Sequence, residues 1–226
     1  MKNPFLLILI LAVAGLAYFL YNNQVPFFSK ADQTSTQNSF EQITKRVSEL
    51  KQNEKLKTAV VAGGCFWCME GPFEQMDGVE EAVAGYIGGD LQNPTYEQVS
   101  TGATGHREGV MIYYDPALVS YEQLLEKFWA QIDPTDPGGQ FADRGSQYKT
   151  AIFYSDDGEK QIAESSKQAL GDSGRFEKPI VTDILPMSTF YPAEDYHQDY
   201  YIHSSERYNR YKKGSGREDF VKNNQP

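Results

Sequence analysis

Ala59-Val60-Val61-Ala62-Gly63-Gly64-Cys65-Phe66-Trp67-Cys68-Met69-Glu70 holds the chain's clearest change of pattern and its only two cysteines. Ala59 to Ala62 is an apolar run that suits a buried strand. Two glycines then supply a turn. Phe66 to Met76 suits a helix, with Pro72 confined to its first turns or bending it. A strand, turn and helix in this order put Cys65 at a helix N-terminus. Free N–H groups and the partial positive charge there favour a thiolate, which is the nucleophilic form of cysteine. The spacing therefore points to redox or nucleophilic chemistry. Two blander readings stand beside it. A structural disulfide between Cys65 and Cys68 would close so short a loop that it restrains the unfolded chain little. Half of a zinc site would need four ligands, and His106, His197 and His203, the only histidines, form no paired ligand motif.

The elements that follow alternate. Val79 to Tyr86 reads as a strand and Gly88 to Gly105 as a glycine- and polar-rich loop. Val110 to Tyr114 reads as a strand stopped by Asp115-Pro116. Ser120-Tyr121-Glu122-Gln123 has the form of a capping box. It opens a helix with Leu124, Leu125, Phe128, Trp129 and Ile132 on one face that ends before Pro134. Asp133 to Ser146 is a second long loop. Tyr148 to Tyr154 and Ile180 to Leu185 read as strands, Asp157 to Leu170 and Ala193 to Tyr201 as helices. The order predicts an α+β fold, a two-layer α/β sandwich with a mixed sheet. Loops as long as these two are often functional.

Ahead of this domain, Phe5 to Tyr21 is an apolar run without charge. As a helix it would span about 25 Å, near the lower limit for crossing a bilayer. It reads as an uncleaved signal-anchor over residues 1–21, with most of the chain outside the cytoplasm. The alternative is a signal peptide cleaved at Ala12-Val13-Ala14, followed by secretion. Residues 22–57 read as a polar linker with a short amphipathic helix. That helix opens at the capping box Ser39-Phe40-Glu41-Gln42 and carries Phe40, Ile43, Val47 and Leu50 on one side, to lie on the main domain or pair with a second copy. Residues 58–213 make the main domain, and 214–226 read as a disordered tail. Charge is divided unevenly. Residues 1–58 carry 7 basic and 4 acidic residues, and 59–226 carry 14 and 27. So acidic a domain lacks the basic footprint of a nucleic-acid binder.

Three segments gather polar chemistry. The first loop holds Asn93-Pro94-Thr95-Tyr96 and Gly105-His106-Arg107-Glu108. Glu108 stands directly before a buried-looking strand, where desolvation would raise its pKa into a useful general-acid range. Solvated strand-end glutamates are nonetheless common. The second segment runs Asp143-Arg144-Gly145-Ser146-Gln147-Tyr148, with the Tyr148 hydroxyl aimed into a cleft or capping a core. The third runs Glu194-Asp195-Tyr196-His197-Gln198, where His197 either tunes a thiol or is structural.

Together with Gly64-Cys65-Phe66-Trp67, these blocks occur in the order found in the A-type methionine sulfoxide reductases, and the chain resembles that family over roughly Ala59 to Tyr211. The resemblance implies that Cys65 attacks the sulfoxide sulfur and that Phe66 and Trp67 form an apolar pocket for the S-methyl group. It implies that Glu108 supplies a proton to the sulfoxide oxygen, assisted by the Tyr96 and Tyr148 hydroxyls, with Asp143 in the surrounding polar network. The substrates would be oxidised proteins or peptides carrying methionine S-sulfoxide, and the free amino acid. Neither cofactor nor metal is implied. Cys65 would end as a sulfenic acid. Many relatives resolve it with a cysteine near the C-terminus, which this chain lacks. The candidate is Cys68, where many relatives have glycine, with thioredoxin or a thioredoxin-like protein as dithiol donor. Two other functions are weighed against this one. A general thiol–disulfide oxidoreductase would leave Glu108 and Tyr148 without a purpose. A membrane-anchored binding module would use the cysteines as a staple.

Overall fold

A computed structural model describes residues 42–224. The signal-anchor, the polar spacer and the start of the amphipathic helix lie outside these residues. Among the described residues no helix is long and apolar enough to cross a membrane.

The elements run α1 (residues 42–52), β1 (Lys57–Ala62), α2 (Trp67–Glu74), β2 (Val79–Ile87), α3 (Tyr96–Ser100), β3 (Arg107–Tyr114) and α4 (Tyr121–Gln131). Then come β4 (Gly139–Gln140), β5 (Asp143–Arg144), a 3-10 turn at Ser146–Tyr148, β6 (Ala151–Tyr154), α5 (Asp157–Asp172), β7 (Asp183–Pro186) and β8 (Tyr191–Pro192). A 3-10 turn at Asp195–His197, α6 (Tyr200–His203), α7 (Ser205–Gly214) and α8 (Arg217–Asn223) complete the chain. Six strands form one sheet in the order β7-β6-β1-β3-β2-β8. Its pairs are antiparallel except β6 with β7, so the sheet is mixed as expected.

Successive residues of a strand face opposite sides of a sheet. Val61, Ala84, Val110 and Ile112 turn to the side covered by α2, α4 and α5, where they meet Phe66, Phe73, Leu124 and Phe128. Val60, Val83, Met111 and Phe153 turn to the other side, where Ile43 and Val47 of α1 cover them. The amphipathic helix thus lies on the main domain. Burying those two side chains stabilises by about 1.5–3 kcal/mol each. Arg46 of the same helix adds bonds to Glu81 and Asp199.

Several boundaries differ from the sequence reading. The loop Gly88 to Gly105 contains α3, because Thr95 and Gln98 form a reciprocal capping box. Tyr148 ends a 3-10 turn rather than beginning a strand. The segment from Gly214, expected as a disordered tail, folds into α8, where Arg217 is 1% exposed. Its polar composition hid the fact that Arg217 finds partners in the core.

Candidate active site

Gly64 has φ +83°, a left-handed conformation that glycine adopts without penalty, and turns the chain out of β1 into α2. Space demands glycine as well: a Cβ there would lie 2.6 Å from Cβ of Gln140 and 2.7 Å from Nη2 of Arg217. No side chain of α2 caps its own N-terminus. The acceptor comes from β3, where Glu108 Oε2 accepts the Phe66 N–H at 3.1 Å. Glu108 lies inside the strand, paired with Tyr86, rather than ahead of it. Two residues before Val110, it shares the helix-covered face, and so it lies under the start of α2.

Cys65, Phe66, Trp67, Tyr96, Glu108, Asp143, Tyr148 and Tyr211 line one cavity of about 140 Å³. Seven of the eight residues assigned to the site thus face one space, and the eighth, Cys68, lies behind it. A wider groove of about 890 Å³, between α4 and α5, shares none of these residues and holds no cysteine. Both cysteines are free thiols. Cys65 is 6% exposed and Cys68 fully buried, packed with Tyr200 and Tyr208.

Burial pushes the Glu108 carboxyl up to about 8, against the Phe66 N–H, which lowers it; the Asp143 and Cys68 charges add to the rise. At neutral pH it is a neutral acid with a proton to give. The Cys65 thiol is not pulled down as its place at a helix start suggested. Burial raises it well above its ordinary value, and its bond to Cys68 and the Glu108 and Asp143 carboxylates raise it further. The Cys68 thiol is lowered, chiefly because Cys65 donates to it.

The aromatic wall is built from the C-terminal segments. Trp67 stacks on Tyr200, ring centroids 3.8 Å apart and 8° from parallel. Its indole N–H donates to His197 Nδ1 at 3.1 Å. Burial pushes His197 down to about 4, so it is neutral, with its proton on Nε2 by elimination. Among the residues given no role at the sequence level, Glu194 accepts from the Tyr86 hydroxyl at 2.7 Å and from the Tyr96 N–H at 2.9 Å, which fixes Tyr96 beside the cavity. Gln198 bonds both backbone groups of Ala84, at 2.9 and 3.0 Å, beside the short strand β8. The order of the Glu194–Gln198 block signalled importance without assigning roles. Tyr211, whose hydroxyl donates to Asp143 Oδ2, was missed; one more tyrosine in a polar helix carries no local signal. Among the described residues, Glu70, Glu74 and Asp199 are the acidic group close enough to share an ion, and they do not line the cavity.

A buried acid and the outer thiol of a Cys-X-X-Cys pair, facing one small aromatic cavity, define a thiol-dependent reductase site on a mixed α/β fold. The chain belongs to the peptide methionine sulfoxide reductase family, whose family model matches residues 57–226. It is 56% identical over 168 residues to peptide methionine sulfoxide reductase MsrA of Bacillus licheniformis, covering 74% of this chain and 93% of that one. It is 56% identical over 169 residues to the Bacillus subtilis protein of the same description, covering 75% and 96%. Among solved structures, methionine sulfoxide reductase A of Corynebacterium diphtheriae is similar, with a TM-score of 0.61 and 32% identity over 68% of this chain and 77% of that one.

Proposed function

We propose that this enzyme reduces the S epimer of methionine sulfoxide, free and in proteins, with Cys65 as nucleophile and Glu108 as general acid. The observation that carries the reading is the pairing of the Cys65 thiol with a protonated Glu108 in one cavity roofed by aromatics. Its small volume suits a sulfoxide head group with the rest of the substrate outside. Phe66 and Trp67 hold the S-methyl group, and Tyr96 and Tyr148 direct hydroxyls at the oxygen. Burial raises both tyrosine hydroxyls above their ordinary value, so they serve as donors. Asp143, bonded by Tyr211, orders the cavity edge.

Sulfoxide oxygen is a poor leaving group until protonated. Glu108 protonates it as Cys65 gives up its proton and attacks the sulfur, forming an S–S bond. The oxygen takes a second proton and leaves as water; a water that returns a proton to Glu108 then attacks the Cys65 sulfur, and the S–S bond breaks with its electron pair on the substrate sulfur, which departs as the thioether while Cys65 is left as sulfenic acid. Cys68 then attacks the sulfenic sulfur, forming the Cys65–Cys68 disulfide and releasing water. An external dithiol, thioredoxin or a thioredoxin-like protein, reduces that disulfide and is itself oxidised. Phe5–Tyr21 anchors the enzyme with its catalytic domain outside the cytoplasm, a reading supported by the length of the uncharged run. Loss of the full-length chain from membranes on alkaline carbonate washing would overturn that part.

The deciding experiment is turnover of the two separated epimers by the full-length chain, with dithiothreitol as reductant. Consumption of the S epimer alone is expected. No turnover of either epimer, in a folded sample with titratable thiols, would overturn the reading and favour a general thiol–disulfide oxidoreductase.

A further inference from the structure

Arg217, near the end of the chain, is a guanidinium 1% exposed to solvent. Arginine stays charged in proteins, and burying a charge without an opposite one is costly. Among the described residues no carboxylate lies within ion-pair distance of it. Its hydrogen-bond partners are uncharged, and the Asp143 carboxylate feels its charge only from beyond ion-pair distance: Nη2 donates to the Gly63 carbonyl at 2.8 Å and Nη1 to the Gln131 carbonyl at 3.0 Å. Nη1 also touches Met69 Sδ at 3.4 Å, and the head group lies 4.7 Å from the centre of the Phe141 ring. Gly63 and Met69 bracket the Cys65–Cys68 turn, so the charge is held against both flanks of the dithiol. Nothing in the reduction of the sulfoxide uses it.

We propose that Arg217 is a positioning residue for the second half of the cycle, holding the turn 63–69 and supplying the counter-charge for a thiolate at Cys68. The inference rests on the reading of Cys68 as the partner of Cys65. A Cys68 thiolate is needed twice. It attacks the sulfenic sulfur of Cys65, forming the S–S bond while the departing hydroxyl takes a proton and leaves as water. Later it is the leaving group. Cys65 borders the cavity and Cys68 does not, so a donor thiolate bonds to the Cys65 sulfur and the S–S bond breaks toward Cys68. The donor's second thiol then closes the donor disulfide and leaves Cys65 reduced. A thiolate stabilised by a neighbouring cation leaves faster and forms at lower pH.

The groups facing Cys68 fit this role. Cys65 lowers it most, burial opposes, and Arg217 and Lys212 lower it further, against Asp143. Glu108 from β3 and Tyr208 and Tyr211 from α7 also sense its charge. With Cys65 removed and Glu108 protonated, Arg217 is the buried cation left beside it.

The test uses the full chain. In Cys65→Ser, Cys68 is the sole thiol, and its thiolate is titrated by ultraviolet absorbance, which needs no reagent to reach the buried sulfur. Adding Arg217→Met is expected to raise the midpoint by about one pH unit or more, a tenfold loss of thiolate at a given pH. Arg217→Lys, which keeps the charge, is expected to restore most of it. In single turnover without reductant, Arg217→Met on the two-cysteine enzyme should slow methionine release less than it slows disulfide formation. Its sulfenic acid, trapped with dimedone, should persist at least tenfold longer. Unchanged midpoints in the Met and Lys variants would overturn the proposal, as would equal slowing of methionine release and disulfide formation. A Cys68→Ser enzyme that accumulates no sulfenic acid would instead strike the underlying assignment of Cys68, whatever Arg217 does.

Discussion

Glu108→Gln separates catalysis from stability at one side chain. Glutamine is nearly isosteric, and its amide oxygen can still accept the Phe66 N–H that starts α2, so the fold is expected to survive. It has no proton to deliver to the sulfoxide oxygen. General-acid catalysis contributes about 10²–10⁴ in rate, or roughly 3–5 kcal/mol of the barrier, and that is the expected loss in kcat/KM. Stability should move the other way. Glu108 is 2% exposed and its carboxyl is pushed up to about 8, while in the unfolded chain it titrates near its ordinary value of 4.5. The folded state therefore holds a proton that the unfolded state has lost. Wild-type stability falls as pH rises from about 4.5, by about 1.4 kcal/mol per unit, until the folded pKa is reached. Glutamine does not titrate. Relative to wild type, the variant should gain up to about 3 kcal/mol between pH 4.5 and 7. Urea midpoints of both proteins at the two pH values, beside S-epimer turnover, measure both effects. The activity of the wild type should also fall as pH passes about 8, as the acid ionises. A stability gap that stays constant with pH would mean that Glu108 is ionised in the fold, and the general-acid argument would fail. So would a variant with a tenth or more of wild-type activity.

Other perturbations test other parts of the construction. Gly64→Ala adds a methyl group 2.6 Å from Gln140 Cβ at a backbone φ of +83°, and should lower stability by about 2–4 kcal/mol in urea unfolding. Glu70 is buried with Oε2 unbonded among the described residues, and its carboxyl is pushed up to about 9 by burial. Its folded state holds the proton, so stability should decline between about pH 5 and 9, and Glu70→Gln should flatten that slope; an unchanged slope would count against a neutral Glu70. Cys68→Ser should release one methionine per enzyme and leave a dimedone-reactive Cys65, whereas wild type should end as a disulfide with no free thiol, a difference that mass measurement resolves.

Much of the site was legible because its chemistry is concentrated in short blocks. Gly64-Cys65-Phe66-Trp67 announced a turn into a helix with a thiol at its start, and both are present. The capping box at Ser120 predicted α4, because such a box is satisfied entirely by local hydrogen bonds. What was lost depended on partners far along the chain. Glu108 looked like a strand-end residue until β3 was seen to start at Arg107, pairing Glu108 with Tyr86. Its pKa is a property of burial under α2, which no neighbour in sequence reports. The helix start that favours a thiolate at Cys65 is local, whereas the burial that raises its thiol, with Cys68, Glu108 and Asp143 adding to it, comes mostly from residues far along the chain.

By itself the sequence determined the alternation of strands and helices, the dithiol and its spacing, and the acidic balance of the domain, all set by residue identity and near-neighbour geometry. Only the tertiary structure decided that α1 covers the far face of the sheet, that Glu194 and His197 fix Tyr96 and Trp67, and that α8 sends Arg217 against Gly63 and Met69 on either side of the cysteines. Each of these joins segments distant in sequence. Their energy comes from desolvation and from hydrogen bonds closed across the core, so it exists only once the chain has folded.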